Sequence, residues 1–549
     1  MVSCLYRSTL LLTYLLLLAA CGSSGGGKRV TIDGAVTFDK VVFSASGLDY
    51  LNTEVSPARG ITVQLRDADG MEVSSTTTDE NGFYRFQQVL PNTRFQVFVL
   101  AELYSDSQAA WHASVKDNTD NNALYALQSS EFSSGLGGVV LDIHAASGWD
   151  VSASAYSTAR SAAPFAILDA IYDGIYTLLD VDDAIRFSGL DIFWSEGNNP
   201  AYDRDLSFAE NVSNGDIGST FYLNDAMYIL GADSVNTDEY DRHVILHEWT
   251  HFLEDTLSRS DTTGGSHNIT QSLDPRLAYT EGLANAFSGV TTGDPIYRDS
   301  FGVEQSHDFK INLESNPDAA GGDNAGWYIE GSIHSLIYDL YDSNNEGDDD
   351  ITLGLKPIYD VLTSDDYVSQ VSAVTIFSFV DLLKRHPAVN SSALSSLFAT
   401  QEIFGVDAYG GGEINDGGIV DVLPVYKTID VGGASTLICS TNLLGEFNRL
   451  GNRQLLKLSA MAGQHTISVS KSSGVQSANP AFVVYRQGEV VASHPVPNTP
   501  AYLADTDVES ATVQLPEDGD YLLEVLSRRN IDSTFSTGGD ICFDVSVTI

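Results

Sequence analysis

The chain has 549 residues, with 28 basic against 74 acidic side chains and a formal charge of −46. An excess of this sign repels phosphate backbones and anionic headgroups, which excludes a nucleic-acid partner and direct adsorption to an anionic membrane. With 43% hydrophobic and 10% aromatic residues it can bury real cores, and at roughly 100–200 residues per domain it predicts about three or four domains. The chain opens with Arg7, then an apolar run over 10–18, then Ala19 and Ala20. A charged start, a short apolar centre and small residues before a cut describe a secretory signal over 1–20, too short to span a bilayer comfortably.

The segment Leu18-Ala19-Ala20-Cys21 resembles the bacterial lipobox. That resemblance implies that Cys21 is lipidated and becomes the mature N-terminus, so the membrane is met only through a lipid anchor. Gly22 stands where an aspartate retains lipoproteins on the inner membrane, which points to the outer membrane or cell surface. Cys4 leaves with the signal, so Cys439 and Cys542 remain. Two cysteines in an exported chain predict a disulfide closing a loop of about 100 residues. No cysteine is left for a thiol protease or a thiolate metal site.

Residues 21–29, Gly/Ser-rich over 22–27, read as a lipidated tether. From 30 to 103, alternating runs such as 61–65 and 82–86 are broken by the turn 67–70, the pattern of an antiparallel β-sandwich. The run 77–84 (TTDENGFY) resembles carboxypeptidase-regulatory-like surface modules, which implies a spacer. From 104 to 425 strands mix with helices, predicted by apolar spacing over 166–179 and 371–384. From 426 to 549 β patterning returns, and 455–463 and 516–525 resemble the pre-peptidase C-terminal β-sandwich modules of secreted bacterial peptidases. There the disulfide is expected to join the first and last strands.

The segment 244–253 (VILHEWTHFL) contains His-Glu-x-x-His without proline or glycine, so it predicts a buried helix. Positions i and i+4 share a helical face, which lets His247 and His251 offer both imidazoles to one zinc ion (Zn2+). Glu248 then lies beside the open coordination position, able to take a proton from water. The metzincin continuation requires glycine and histidine at 254 and 257, where Glu254 and Leu257 stand, so that class is excluded.

Further on, 280–287 (TEGLANAF) has helical character and resembles the second zinc helix of the glutamate-type zincins (gluzincins). The resemblance implies Glu281 as third ligand. It also puts Asn285 where the family usually has an aspartate that orients a zinc histidine, a role an amide can fill without adding charge. The segment 224–231 (NDAMYILG), with Asn224 and Ala226, resembles the thermolysin-family edge strand that pairs with substrate backbone. The segment 323–332 (DNAGWYIEGS) matches the spacing of that family's oxyanion-donor segment, which implies Tyr328 as donor and Asp323 as its orienting carboxylate. His334 and Tyr338 are the rival donors, or core residues of a helix over 333–341.

The resemblance is to a bacterial thermolysin/fungalysin-like metallopeptidase over about 160–400, with a spacing from His251 to Glu281 nearer the fungalysin type. The Gly-x-Met-Glu-Asn exopeptidase signature is missing, since Met227 precedes Tyr228, which favours an endopeptidase. The expected architecture is multidomain α+β, a zincin-type domain between two β-sandwiches. The expected activity is zinc-dependent hydrolysis of extracellular or periplasmic proteins and peptides. The acidic run 342–350 offers oxygens to calcium (Ca2+), without EF-hand spacing, or forms a solvated inter-helix loop. The rival function is a surface adhesin or glycan-binding lipoprotein with an inactive zincin domain. Whether 104–160 is an inhibitory pro-segment or part of the catalytic domain stays open.

Overall fold

The computed structural model describes residues 28–317, 324–344, 351–405, 407–475, 478–497, 499, 501–502, 504–532 and 538–549. The signal, Cys21, Asp323 and most of the acidic run (345–350) lie outside the described residues. The fold is multidomain and mostly β-sheet with some helices, and β-sandwich-like modules are present.

Period-two burial builds the N-terminal part. In the strand Val30–Ser44, Val30, Ile32, Val36 and Phe38 face the core while intervening residues face outward. This strand pairs antiparallel with Gly47–Pro57 and Phe83–Val89, and parallel with Ile143–Ala145. A second sheet runs through Glu72–Thr77, Ile61–Asp67, Arg94–Asp106, Ala110–Asp117, Arg186–Trp194, Ala226–Ile229 and Phe221–Leu223. The boundary expected at 103/104 therefore needs correcting. It falls inside the strand Arg94–Asp106, whose neighbour Ala110–Asp117 pairs directly with Arg186–Trp194. A cut there would strand a row of buried backbone donors and acceptors, so the N-terminal β region and the middle region share one sheet.

Helix α1 (Ala163–Leu179), started by Pro164 in its first turn, lays Phe165, Ile167, Leu168 and Ile171 into the same core as that sheet. After the short α2 (Phe208–Asn214), which has a Ser207/Glu210 capping box, come the two helices that matter most. Helix α3 (Arg242–Leu257) carries the His-Glu-x-x-His segment. Helix α4 (Pro275–Thr292) starts at the Asp274 cap with Pro275 in its first turn, and it ends at Gly293 in the left-handed region. Helix α5 (Glu330–Tyr341) crosses α4 at Gly282, where an added Cβ would lie 2.4 Å from Ile333 Cβ. Only glycine permits that approach, and it brings Glu330 of α5 to the residues of α4. The helix expected over 371–384 spans Ile376–Leu383, because Ser378 Oγ accepts from Thr375 N (3.0 Å) and caps the chain there.

The C-terminal region is a β-sandwich. One face holds Tyr426–Asp430, Arg453–Ala460, Gly519–Ser527, Pro480–Arg486 and Glu489–His494, and the other Thr436–Ser440, Ile541–Thr548, Gly463–Gly474 and Val508–Leu515. Leu456, Phe482, Leu523 and Phe543 fill the space between. A disulfide joins Cys439 and Cys542, which stand directly opposite in register. The strands it links are the second and last of the module, since Tyr426–Asp430 precedes them. Replacing both cysteines by serine is expected to cost about 2–5 kcal/mol, read as a lower denaturant midpoint of the non-reduced protein. Reductant added to wild type should give the same shift.

The sandwich docks on the start of α4. Asp274 N donates to Asn448 O (2.9 Å), and Arg276 reaches Glu524 of the sandwich (2.7 Å). Among the described residues, no helix is long and apolar enough to cross a membrane.

Candidate metal centre

One turn of α3 separates His247 from His251, and their Nε2 atoms stand 3.2 Å apart. From α4, Glu281 Oε2 lies 3.1 Å from His247 Nε2 and 3.5 Å from His251 Nε2. The potential ligand atoms of these three residues all fall within 4.8 Å of one another. The far side of each ring is fixed. His247 Nδ1 donates to Asn285 Oδ1 (2.9 Å), and Asn285 Nδ2 donates to Glu330 Oε1 (2.6 Å). His251 Nδ1 donates to Glu254 Oε2 (3.2 Å), which also accepts from the Thr280 hydroxyl.

With both Nδ1–H groups committed outward, the Nε2 lone pairs converge with a carboxylate oxygen. Two imidazole nitrogens and one carboxylate oxygen make a donor set that suits zinc and leaves a coordination position for water or substrate. The residues present fit that metal.

The electrostatics follow from burial and pairing. Burial works against ionisation of Glu281, but His251 and the bonds from His247, His251 and His267 hold its carboxyl well below the usual range. Burial raises Glu248 above the usual carboxylate value, against the pull of His247 and His251. Its Oε2 accepts from Tyr222 N (2.9 Å), so the carboxylate is aimed rather than free. A cavity of about 1070 Å³ opens over these groups, lined by His247, Glu248, His251 and Glu281 and by the segment 218–224.

Several expected residues stand elsewhere. The Tyr328 hydroxyl donates to Asn415 Oδ1 (2.8 Å), and its ring is 3% exposed within the core behind α5. Its phenol is thus taken, and it does not line the cavity. His334 is fully buried with Nε2 against Ser315 O (3.1 Å), and Tyr338 packs over Gly289 in the same core. The strand expected from Asn224 is also corrected. Asn224 and Asp225 have φ of 49° and 60° and form a two-residue hairpin turn between Phe221–Leu223 and Ala226–Ile229. Ala226 is therefore interior, paired with Leu223 on one side and Asp191 on the other, and the sheet's edge at the cavity is Phe221–Leu223.

Three neighbours of the site carry no sequence signal. His267, on the loop between α3 and α4, places Nε2 3.3 Å from Glu281 Oε2 and 3.9 Å from Glu330 Oε2. Burial opposes its charge, yet Glu281 and Glu330 push its pKa up to about 9. Glu254 and Glu330 are the other two, and both complete the hydrogen bonds behind the histidines. A second group, Asp238, Asp241 and Asp299, gathers three carboxylates, with Asp238 and Asp299 on the wall of the same cavity. Burial pushes Asp299 up to about 6. His267 has no partner at a fixed spacing, and the acidic residues are separated by a whole helix pair, so no motif exposes them.

Two family models match. The mycolysin C-terminal domain matches residues 194–381, a stretch holding His247, Glu248, His251, His267, Glu281 and Glu330, and the SdrD B-like domain matches 47–148. The second match crosses the boundary expected at 103, as the shared sheet does. The first sets this chain among protease-associated proteins. No curated protein matches the chain. The chain is similar to the pre-peptidase C-terminal domain of collagenase from Bacillus anthracis, at 16% identity, covering 22% of this chain and 93% of that one with a TM-score of 0.15. It is similar also to Aeromonas hydrophila PliG, a periplasmic lysozyme inhibitor of g-type lysozyme, at 20% identity, 22% and 96% coverage and a TM-score of 0.14.

Proposed function

We propose that this chain is a zinc-dependent endopeptidase of the gluzincin type, exported and held at the cell envelope by lipid on Cys21. It would hydrolyse peptide bonds of extracellular or periplasmic proteins. The observation that carries the reading is the convergence of His247, His251 and Glu281 beside an aimed Glu248 in one cleft.

His247, His251 and Glu281 would hold the zinc. When bound, zinc polarises a carbonyl and lowers the pKa of water toward ~7. The chain supplies the rest. Asn285 and Glu254 keep the two imidazoles in one tautomer and orientation. Glu248, aimed by Tyr222 N, accepts the proton of the attacking water at its carboxylate and hands it to the departing amine nitrogen. The edge Phe221–Leu223 offers backbone groups to which an extended peptide can add as a further strand.

Purified mature protein should carry one zinc per chain by metal analysis and cleave casein. Removing the metal with a chelator should abolish cleavage, and adding zinc back should restore it. Wild-type protein that takes up no zinc overturns the reading. So does casein cleavage unaffected by metal removal.

A further inference from the structure

We propose that the cleft selects peptides with lysine or arginine immediately after the scissile bond, the basic side chain running along an apolar recess to Asp238 and Asp299. This rests on the peptidase reading above and names its substrate class.

The recess begins at the metal centre. Val244 stands one turn before Glu248 on α3, so the two share a face, and both line the cavity. Packed against α3 is a hairpin of Ile296–Phe301 and His307–Asn312, in which Tyr297 pairs with Ile311 and Asp299 with Phe309. Side chains alternate across a strand, so Tyr297 and Asp299 point the same way, and they and their cross-strand partners all line the cavity. The rings of Tyr297 and His247 meet edge to face with centroids 6.2 Å apart. Val244, Tyr297 and Ile311 belong to one apolar cluster, and the wall they form leads from Glu248 to Asp299.

Two carboxylates end the recess. Asp241, just before α3, accepts from Ser300 N (2.6 Å) and from the Ser300 hydroxyl (2.8 Å). It is spent on the hairpin, which it holds with Asp299 beside Asp238. Asp238 is 2% exposed, and its Oδ2 accepts from the Thr220 hydroxyl. Its Oδ1 is buried and meets no donor among the described residues, and neither does Asp299 Oδ1. Buried acceptors of this kind are costly unless a donor or a positive group meets them. Among the described residues that line the cavity there is no lysine or arginine to do so. An apolar wall ending in carboxylates fits the methylene stem and charged head of a lysine or arginine, and it repels an acidic side chain. Glu248 fixes the side of the bond. It hands its proton to the leaving amine, so the recess that starts at Glu248 receives the side chain of the residue carrying that nitrogen.

The test uses full-length, mature, zinc-loaded protein and internally quenched peptides that differ only in the residue after the scissile bond: arginine, lysine, norleucine or glutamate. The wild-type kcat/KM for arginine and lysine should exceed that for norleucine by about 10²-fold, with glutamate the poorest. Casein fragments identified by mass spectrometry should begin mainly with lysine or arginine. Asp299→Asn and Asp238→Asn, each shown by thermal unfolding to keep the wild-type fold, should cut the arginine-to-norleucine ratio to less than about tenfold. A wild-type ratio below about tenfold, or casein fragments without basic first residues, overturns the proposal, and so does a preference unchanged in both variants. Calorimetry showing one calcium ion bound by wild type and lost in Asp299→Asn would give the carboxylates to a metal and overturn it too. Failure of the peptidase reading looks different, because wild-type protein then takes up no zinc and cleaves no peptide of the series, which overturns both.

Discussion

Glu248→Gln should keep one zinc per chain and lose hydrolysis, with kcat down by about 10³-fold or more. The substitution is nearly isosteric, and the amide oxygen can still accept from Tyr222 N, so the cleft keeps its shape. It leaves His247, His251 and Glu281 untouched, and with them the donor set for zinc. What it removes is the basic oxygen that takes the proton of water and returns it to the amine. Metal analysis beside casein hydrolysis separates these effects. Retention of more than about a tenth of the activity would show that another group does the proton transfer.

Glu524→Gln should be the most destabilising single change at the junction of the two regions. Glu524 is 1% exposed and bonds Arg276 of α4 and Arg453 of the sandwich, each at 2.7 Å. Neutralising it leaves the buried Arg276 with only Asp274 and the half-buried Arg453 without its carboxylate, a loss expected to cost about 3–5 kcal/mol. Burial opposes ionisation of Glu524, but the two arginines bring its pKa down from 4.5 to about 2. A lowered folded-state pKa gives stability that is present in full above 4.5 and lost as pH falls toward 2. Its size is roughly 3 kcal/mol. Denaturation midpoints measured from pH 7 to pH 2 should therefore drop for wild type across that window, and the Glu524→Gln curve should start lower and lack this component. Parallel curves would mean that Glu524 is not the group responsible.

Both predictions concern residues of very different visibility in the sequence. Glu248 is readable because helical geometry is local: once 244–253 is a helix, the i and i+4 positions must share a face. Glu281 and Asn285 were readable only through resemblance, since no local rule ties α4 to α3. The structure brings them together by packing α4 against both neighbouring helices, at Gly282 and along His247. Spacing misled at Tyr328, where one rotation of the chain into α5 turns the phenol to Asn415. It misled again at Asn224, where two residues at positive φ fold a presumed single strand into a hairpin. Glu524 and Arg276 gave no sign of each other, being joined only when the sandwich docks.

By itself the sequence determined the elements whose cause is local: alternation in the strands, helical spacing in α1 and α3, and two cysteines available to pair. It also brought His247, Glu248 and His251 together, because one helix turn carries all three. Only the tertiary structure decided which edge strand borders the cleft, that the N-terminal β region and the middle region share one sheet, and that residues 447–449 seat the loop of His267. Those relations depend on contacts between segments far apart in the chain. Their energies come from buried surfaces and buried charge pairs that exist only after the segments have met.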